Sequence, residues 1–414
     1  MLTCSSALSR APSNTSRLLV TAILERMSVK ARIHGKMVHR TFDEVYAMIA
    51  HSFHWLLKGE WPSHDYRGEP YTGRRAKMAG KALAGPWRAA FCHVRGDLEF
   101  KAQVFNWANY ACNELCHMCA AHKHEGRLCL FNLMPAAPCF RITYTHEDYM
   151  ENSFGGYRSP LMEIPGFRKE CVLEDWMHDV HLGVGHHLAA SVLVFICGGR
   201  SVTKAVLDVG LDAEWGRFND WCSQHKIQCS MPQFSRAFFH MKKATSFPEL
   251  RAKAHPCKML LSYVADRVRV LAESNHENVW KLLAACTYSI ASLHSIMDHS
   301  DMFFDDDVCR QFYQHGTFFL ASYMSLHSWA IDASAYMFNI IPKCHMMAHV
   351  IFSIHEDRRN PKFYHCYGDE DFVGRIAKIG ARVHPKSMAK RTLERYLIGV
   401  HQRFAASGEP VVII

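Results

Sequence analysis

Residues 171–193 read "CVLEDWMHDVHLGVGHHLAASVL", a run in which acids and histidines lead directly into an apolar helix. Asp175 and His178 stand three apart and share a helical face once the helix has begun by residue 175, and His181 extends that face by another three positions. An acid and a histidine so placed can bind a divalent ion, orient a phosphate, or cap the helix start, where negative charge suits the helix dipole. From the residues alone these three readings stay open.

The same stretch marks a change in the chain. Upstream, residues 125–170 are loop-like, with Pro135, Pro138, Pro160, Pro165 and the pair Gly155–Gly156. Downstream, apolar spacing of three and four predicts helices over 176–197, closed by Gly198 and Gly199, and then over 211–225, 248–273, 276–298, 305–340, 342–355, 371–383 and 388–405. An earlier helix is expected over 42–58, ended by Gly59 and Pro62, and 87–100 reads as a strand end or a helix-to-strand junction. The expected class is α+β, mostly α.

The chain has 414 residues, 49% of them hydrophobic and 21% charged, which suits two or three packed units and excludes disordered and fibrous classes. The formal charge of +9 gives a mild preference for phosphate-rich partners. Sixteen cysteines scattered among 28 histidines, with no convincing secretory signal, read as reduced intracellular thiols, some of them metal ligands. The apolar runs "RLLVTAIL" and "LAASVLVFIC" fall short of a bilayer span, so no membrane segment is expected. The acid-free first 24 residues suit either a transit peptide or a truncated start.

Three further groupings carry chemistry. In "CNELCHMCAAHKH", Cys116 and Cys119 form a C-x-x-C pair able to grip one Zn²⁺, with Cys112 and His122 nearby, or a Cys or His from elsewhere, to complete the tetrahedron. Without metal the segment is a helix with buried thiols. In "IPKCHMMAHV", His345 and His349 are spaced i, i+4, which suits a shared metal, but Met346 occupies the place where a zincin has Glu. Two packed or surface histidines are the default there. In "GDEDFVGRIAKIGAR", acids open a helix that later carries Arg375, Lys378 and Arg382, a layout that complements the dipole and would also suit a metal-bound carboxylate beside a phosphate-contacting face.

Taken in order, these pieces resemble the catalytic region of CACTA (En/Spm-like) DDE transposases and of host proteins derived from them. The family pattern is an acid in a "GD" step, a C-x-x-C pair, "DxMHxxxxGV" leading into a helix, a long helical insertion, "PKxHxxxH", and an acid ahead of basic residues. Here "RGDLEF" offers Asp97 and "CHMC" offers Cys116 and Cys119; "DWMHDVHLGV" offers Asp175 and His178, "PKCHMMAH" offers His345 and His349, and "GDEDFVGRIAK" offers Glu370. The resemblance spans roughly residues 90–400.

The resemblance implies a partial RNase H-like core interrupted by a helical insertion, in which carboxylates hold two Mg²⁺ or Mn²⁺ ions against a DNA phosphodiester. Asp97 would be the second acid and Glu370 the third, with Arg375, Lys378 and Arg382 contacting DNA, and His345 and His349 in support. The implied layout is a ragged or disordered N-terminus over 1–40, a partial core with the C-x-x-C segment over 41–199, insertion over 200–340, C-terminal core helices over 341–406 and a tail over 407–414. Neither Asp43 nor Asp65 fits the family's first acid, which is expected to be lost with a truncated N-terminus, impairing strand cleavage and transfer.

The leading expectation is therefore a transposase-derived DNA-binding protein, nuclear or, if the start is a transit peptide, organellar. It would be open to homo-oligomerisation and would have no small-molecule cofactor. The alternative is a non-catalytic zinc-stabilised module that binds nucleic acid or protein. A third reading, a small-phosphoester hydrolase built on Asp175 and His178, rests on ligand spacing alone.

Overall fold

The computed structural model describes residues 2–407 apart from 6–16, 24–27, 34–35, 106, 109, 125, 127, 152–156, 200–201 and 244. The Gly155–Gly156 pair and residues 408–414 of the expected tail lie outside the described residues. Helices dominate, and the strands form two small sheets, an α+β composition that is mostly α. The chain divides into two compact units: Met1–Trp107, Thr145–Leu173 and Cys366–Ile414 make the first, and Ala108–Tyr144 with Glu174–His365 the second.

In the first unit, strands β1 (Leu2–Ser5) and β2 (Arg17–Thr21) pair antiparallel, as do β3 (Lys30–Ile33) and β4 (Lys36–His39). Residues 1–40, expected as a ragged lead-in, thus contribute four strands. The physical reason lies in side-chain alternation: Leu19 is buried while its neighbour Leu18 is exposed. Leu19 and Ala22 pack with Phe372, Ile376 and Tyr396 of the two C-terminal helices, Tyr367–Gly380 and Met388–Ser407.

Helix α1 (Arg40–Lys58) ends where Gly59 turns left-handed at φ 75° and donates its N–H to the Trp55 carbonyl. Its Tyr46 and Ala50 join a second core with Phe105, Trp107, Leu161, Phe167 and Val172. The 87–100 junction resolves into a single parallel bridge, Val94 to Val172, followed at once by helix α2 (Leu98–Phe105).

The second unit is built on long helices: α3 (Lys204–Gln224), α4 (Ala254–Ser274), α5 (Asn278–His299), α6 (Asp306–Asp332) and α7 (Pro342–Phe352). Thr203 and Asp305 cap α3 and α6 with side-chain oxygens. One continuous core joins residues from Trp176 and Val180 through Leu261, Leu293 and Phe319 to Ile351. Residues 200–340 therefore share their core with the flanking segments 174–199 and 341–365.

Helix α6 stops at Asp332 rather than running to 340. Ser334, Tyr336 and Phe338 adopt φ of 49°, 44° and 55°, a left-handed backbone that no right-handed helix can include. Burial offsets this strain: Phe338 is fully enclosed, its N–H donates to Ser191 Oγ at 2.9 Å, and its carbonyl meets His327 Nδ1 at 2.9 Å.

The opening stretch of the sequence winds as a π-helix over Met177–Val184 and continues as an α-helix over Gly185–Ile196. This 20-residue run is long and apolar enough to cross a bilayer, and 83% of its apolar window is buried inside the unit. It serves as the unit's core helix. Gly185 permits a close approach, since a Cβ there would stand 2.8 Å from the Val180 carbonyl oxygen and 2.9 Å from Leu261 Cδ1.

Candidate metal centre

The C-x-x-C pair lies on an extended segment rather than on a helix. Cys119 bridges to Thr143, Tyr144 donates its N–H to the Met118 carbonyl, and the Met118 N–H donates to Cys116 Sγ at 3.3 Å. These bonds fold the turn so that both sulfurs point inward. Opposite them, α7 presents His345 and His349 from successive turns of one face. Pro342 at the helix start supplies a fixed φ where no N–H is needed.

The four side chains converge. Cys119 Sγ lies 3.6 Å from Cys116 Sγ and 3.3 Å from His345 Nε2; Cys116 Sγ lies 3.3 Å from His349 Nε2; and the two Nε2 atoms are 3.1 Å apart. All four residues are buried, and their ligand atoms lie within 4.8 Å of one another. A tetrahedral zinc site with bonds of about 2.3 Å to sulfur and about 2.05 Å to nitrogen has edges of about 3.8, 3.5 and 3.3 Å for S–S, S–N and N–N pairs. The observed separations follow the same order and fall within about 0.3 Å of those edges.

The chemistry of the donors agrees with the geometry. Each Nε2 faces both a sulfur and the other Nε2, a convergence of donor atoms that suits a cation. Burial depresses the His345 pKa and keeps its imidazole in the neutral, ligating form. The hydrogen bond from the Cys116 thiol, aided by the two imidazoles, draws Cys119 well below the ordinary thiol range, while burial holds Cys116 well above it. The group can hold a metal ion such as zinc.

A packed shell surrounds the four ligands. The Phe140 ring stacks on His345 at 4.7 Å between centroids and meets His349 edge-on at 5.1 Å. His117, within the C-x-x-C, and Glu174, at the start of the D-x-x-H stretch, approach to 3.1 Å and are both buried. Neither Glu174 nor Phe140 was legible as part of a site; their signal, an acid beside Asp175 and an aromatic before Arg141, is too common to single out.

Of the residues proposed for zinc from sequence, Cys116 and Cys119 belong to this group and Cys112 and His122 do not, Cys112 being exposed. The remaining ligands come instead from the His345 and His349 pair, 226 and 233 positions along the chain from their sulfur partners. The chain had to fold before that spacing acquired meaning.

Asp175 is buried and accepts the backbone N–H of Met177 at 3.2 Å and of His178 at 3.3 Å, while its Oδ2 also contacts His178 Nδ1. The D-x-x-H pair thus holds the start of the π-helix. His186 and His187 are buried against the 248–250 segment, through Leu250 N–H to the His186 carbonyl and the Pro248 carbonyl at His187 Nδ1.

In the first unit, Asp97 Oδ1 accepts the Phe100 N–H at 2.7 Å and caps α2, and Glu370 lies in the first turn of the helix Tyr367–Gly380. The two segments meet through Asp369, whose carboxylate takes Arg95 at 2.8 Å and Arg17 at 2.9 Å. Arg375, Lys378 and Arg382 are exposed along that helix and its end, with Arg375 paired to Asp371 at 3.1 Å. Asp43 contacts the Tyr157 hydroxyl, and Asp65 accepts the N–H groups of Arg67 and Glu69 in a tight turn.

Comparison with protein-family models and with curated protein sequences finds no match for this chain.

Proposed function

We propose that this protein is a zinc-stabilised nucleic-acid-binding protein descended from a DDE transposase, in which DNA strand cleavage has given way to binding. The observation that carries this reading is the Cys116–Cys119–His345–His349 group, assembled from two separate elements of the family pattern that meet only in the fold. A centre with four protein ligands leaves no open position for substrate or water, which is the mark of a structural rather than a catalytic zinc.

The cleavage side of the family resemblance has less to support it. The carboxylate at Asp97 is engaged in capping a helix, and no third acid beside Asp97 and Glu370 was identified from the sequence. Exposed Arg375, Lys378 and Arg382 offer a face to phosphates instead.

Metal analysis of the purified chain tests this reading. One zinc per chain is expected, lost in the Cys119→Ser/His349→Ala variant, together with salt-sensitive duplex binding weakened by Arg375→Glu and Lys378→Glu. A folded, metal-free chain would overturn the zinc assignment. Mn²⁺-dependent nicking that disappears in Asp97→Ala and in Glu370→Ala would overturn the loss of cleavage.

A further inference from the structure

Between Glu69 and Asp97 the chain carries six arginines and lysines and no acid, against a formal charge of +9 for all 414 residues. Arg74, Arg75, Lys77, Lys81 and Arg88 are exposed, and none of them has an ion-pair partner among the described residues. Arg75 lies over the Tyr71 ring at 5.1 Å, and Arg88 donates to the carbonyls of Gly85 and Trp87. Glu60, whose backbone bridges to Ala82 of this segment, is taken by Lys58 at 2.8 Å.

The same segment carries Trp87, 76% exposed. Among the described residues from 58 to 109 no other large apolar side chain is comparably exposed. Arg74, Arg75 and Lys77 lie on the short helix Gly73–Met78, and the segment from there to Ala89 is a defined surface. Its backbone is pinned to the end of α1 and the segment beyond it by Trp61 N–H to Lys81 O, Gly80 N–H to Trp61 O, Leu83 N–H to Gly59 O and Ala89 N–H to Leu56 O. The Arg88 side chain lies so close over Gly59 that a Cβ there would collide with it.

Exposing an indole to water forgoes its burial, and gathering unpaired cations in one acid-free segment raises local repulsion. Both costs are recovered by one kind of ligand, an unpaired nucleotide strand, whose base stacks on the ring while successive phosphates meet the cations. A duplex keeps its bases stacked on one another and has no use for the exposed indole face. A bilayer surface would call for several apolar side chains on one face, where this loop offers one, set among alanines and glycines. At its far end the segment reaches Arg95, whose pair with Asp369 leads on to the helix carrying Arg375 and Lys378.

We infer that the 71–88 segment of this protein is a single-stranded nucleic-acid-binding surface, with Trp87 as the base-stacking platform and Arg74, Arg75, Lys77 and Lys81 as phosphate contacts. The inference deepens the nucleic-acid-binding reading by naming an unpaired strand and a second surface, and it is independent of the metal centre.

The test is fluorescence anisotropy of the full chain with a labelled thymidine 20-mer, the matching duplex, and anionic phosphatidylserine vesicles, over a range of salt. Binding of the single strand is expected to weaken roughly tenfold in Trp87→Ala and to be largely kept in Trp87→Phe. The Arg74→Glu/Arg75→Glu/Lys77→Glu variant is expected to lower affinity more than tenfold and to flatten the salt dependence by about three phosphates' worth. Duplex binding is expected to respond to Arg375→Glu but hardly to Trp87→Ala. Single-strand binding unchanged in Trp87→Ala, or vesicle binding without oligonucleotide binding, would overturn the inference. Duplex binding that survives in either case would leave the broader reading standing.

Discussion

Glu174 Oε1 lies 3.1 Å from Nε2 of His117, the residue set between the first sulfur of the C-x-x-C pair and the turn that presents the second. Both side chains are buried and stand close enough for an ion pair when His117 is protonated. Removing one partner of such a pair costs about 3–5 kcal/mol. Glu174→Ala is expected to lower unfolding free energy by about 3 kcal/mol in urea titrations. Glu174→Gln, which keeps the shape and one acceptor oxygen, is expected to lose less. A double-mutant cycle with His117→Leu that shows no coupling would refute the pairing.

Removal of zinc from the proposed centre should act on folding outright. Structural zinc supplies roughly 10–16 kcal/mol of apparent binding free energy at neutral pH. A strong chelator is expected to drop the thermal midpoint and to expose residues 108–144 to protease first, because that segment contains only one short helix, Pro138–Arg141, among its described residues. Replacement of the metal by Co²⁺ should give the intense visible absorption of a tetrahedral thiolate site; a weak octahedral spectrum would exclude the four-ligand geometry.

Acid sensitivity should trace to a second, metal-free pair. His181 Nε2 and His294 Nε2 stand 3.0 Å apart in the core of the second unit, and burial pushes His294 down to about 3 and His181 well below its usual value. Above the unfolded pKa of about 6.5 both rings are neutral in either state and stability is full. As pH falls below that value the unfolded chain gains protons that the native core refuses, so stability declines progressively until the folded pKa is reached. Urea midpoints measured between pH 7.5 and 5 are expected to fall less steeply in His294→Gln than in the parent. Equal slopes would show that other groups govern acid unfolding.

Two glycines should respond in opposite directions. A methyl group at Gly185 would press on the Val180 carbonyl, Leu261 and Cys257, whereas one at Gly216 within α3 would meet nothing within 4 Å. Gly185→Ala is expected to destabilise by about 1–3 kcal/mol through overpacking. Gly216→Ala is expected to stabilise by about 0.5–1 kcal/mol through helix propensity. Thermal denaturation of both variants decides the matter, and a neutral Gly185→Ala would mean that the helix Gly185–Ile196 does not approach α4 as closely as described.

Much of the helical framework was legible because its apolar spacing is local: the expected 276–298 helix is Asn278–His299, and 388–405 is Met388–Ser407. Where local signals misled, tertiary contacts had overruled them. Apolar periodicity ran on to residue 340, but the chain turns left-handed after Asp332 to bury Phe338. The first 40 residues read as ragged because strands of four or five residues carry little periodic signal. The metal centre was half legible. C-x-x-C is a motif that ligates from one turn, whereas His345 and His349 gain their meaning only from sulfurs more than 200 positions away. The π-helix left no mark in the sequence beyond Gly183, and the Glu174–His117 contact left none.

The 226 positions between Cys119 and His345 give the metal centre a temporal as well as a spatial role. Closing a loop of that length costs about 5 kcal/mol in chain entropy before any contact repays it. On a chain emerging from its N-terminus, the sulfur half of the clasp must wait, reduced and unshielded, until nearly the whole second unit has been made. An ion taken up at this group would therefore be captured late in the birth of this protein. It would tie together two distant reaches of backbone, so that the pieces left by a nick between them would be linked through the ion.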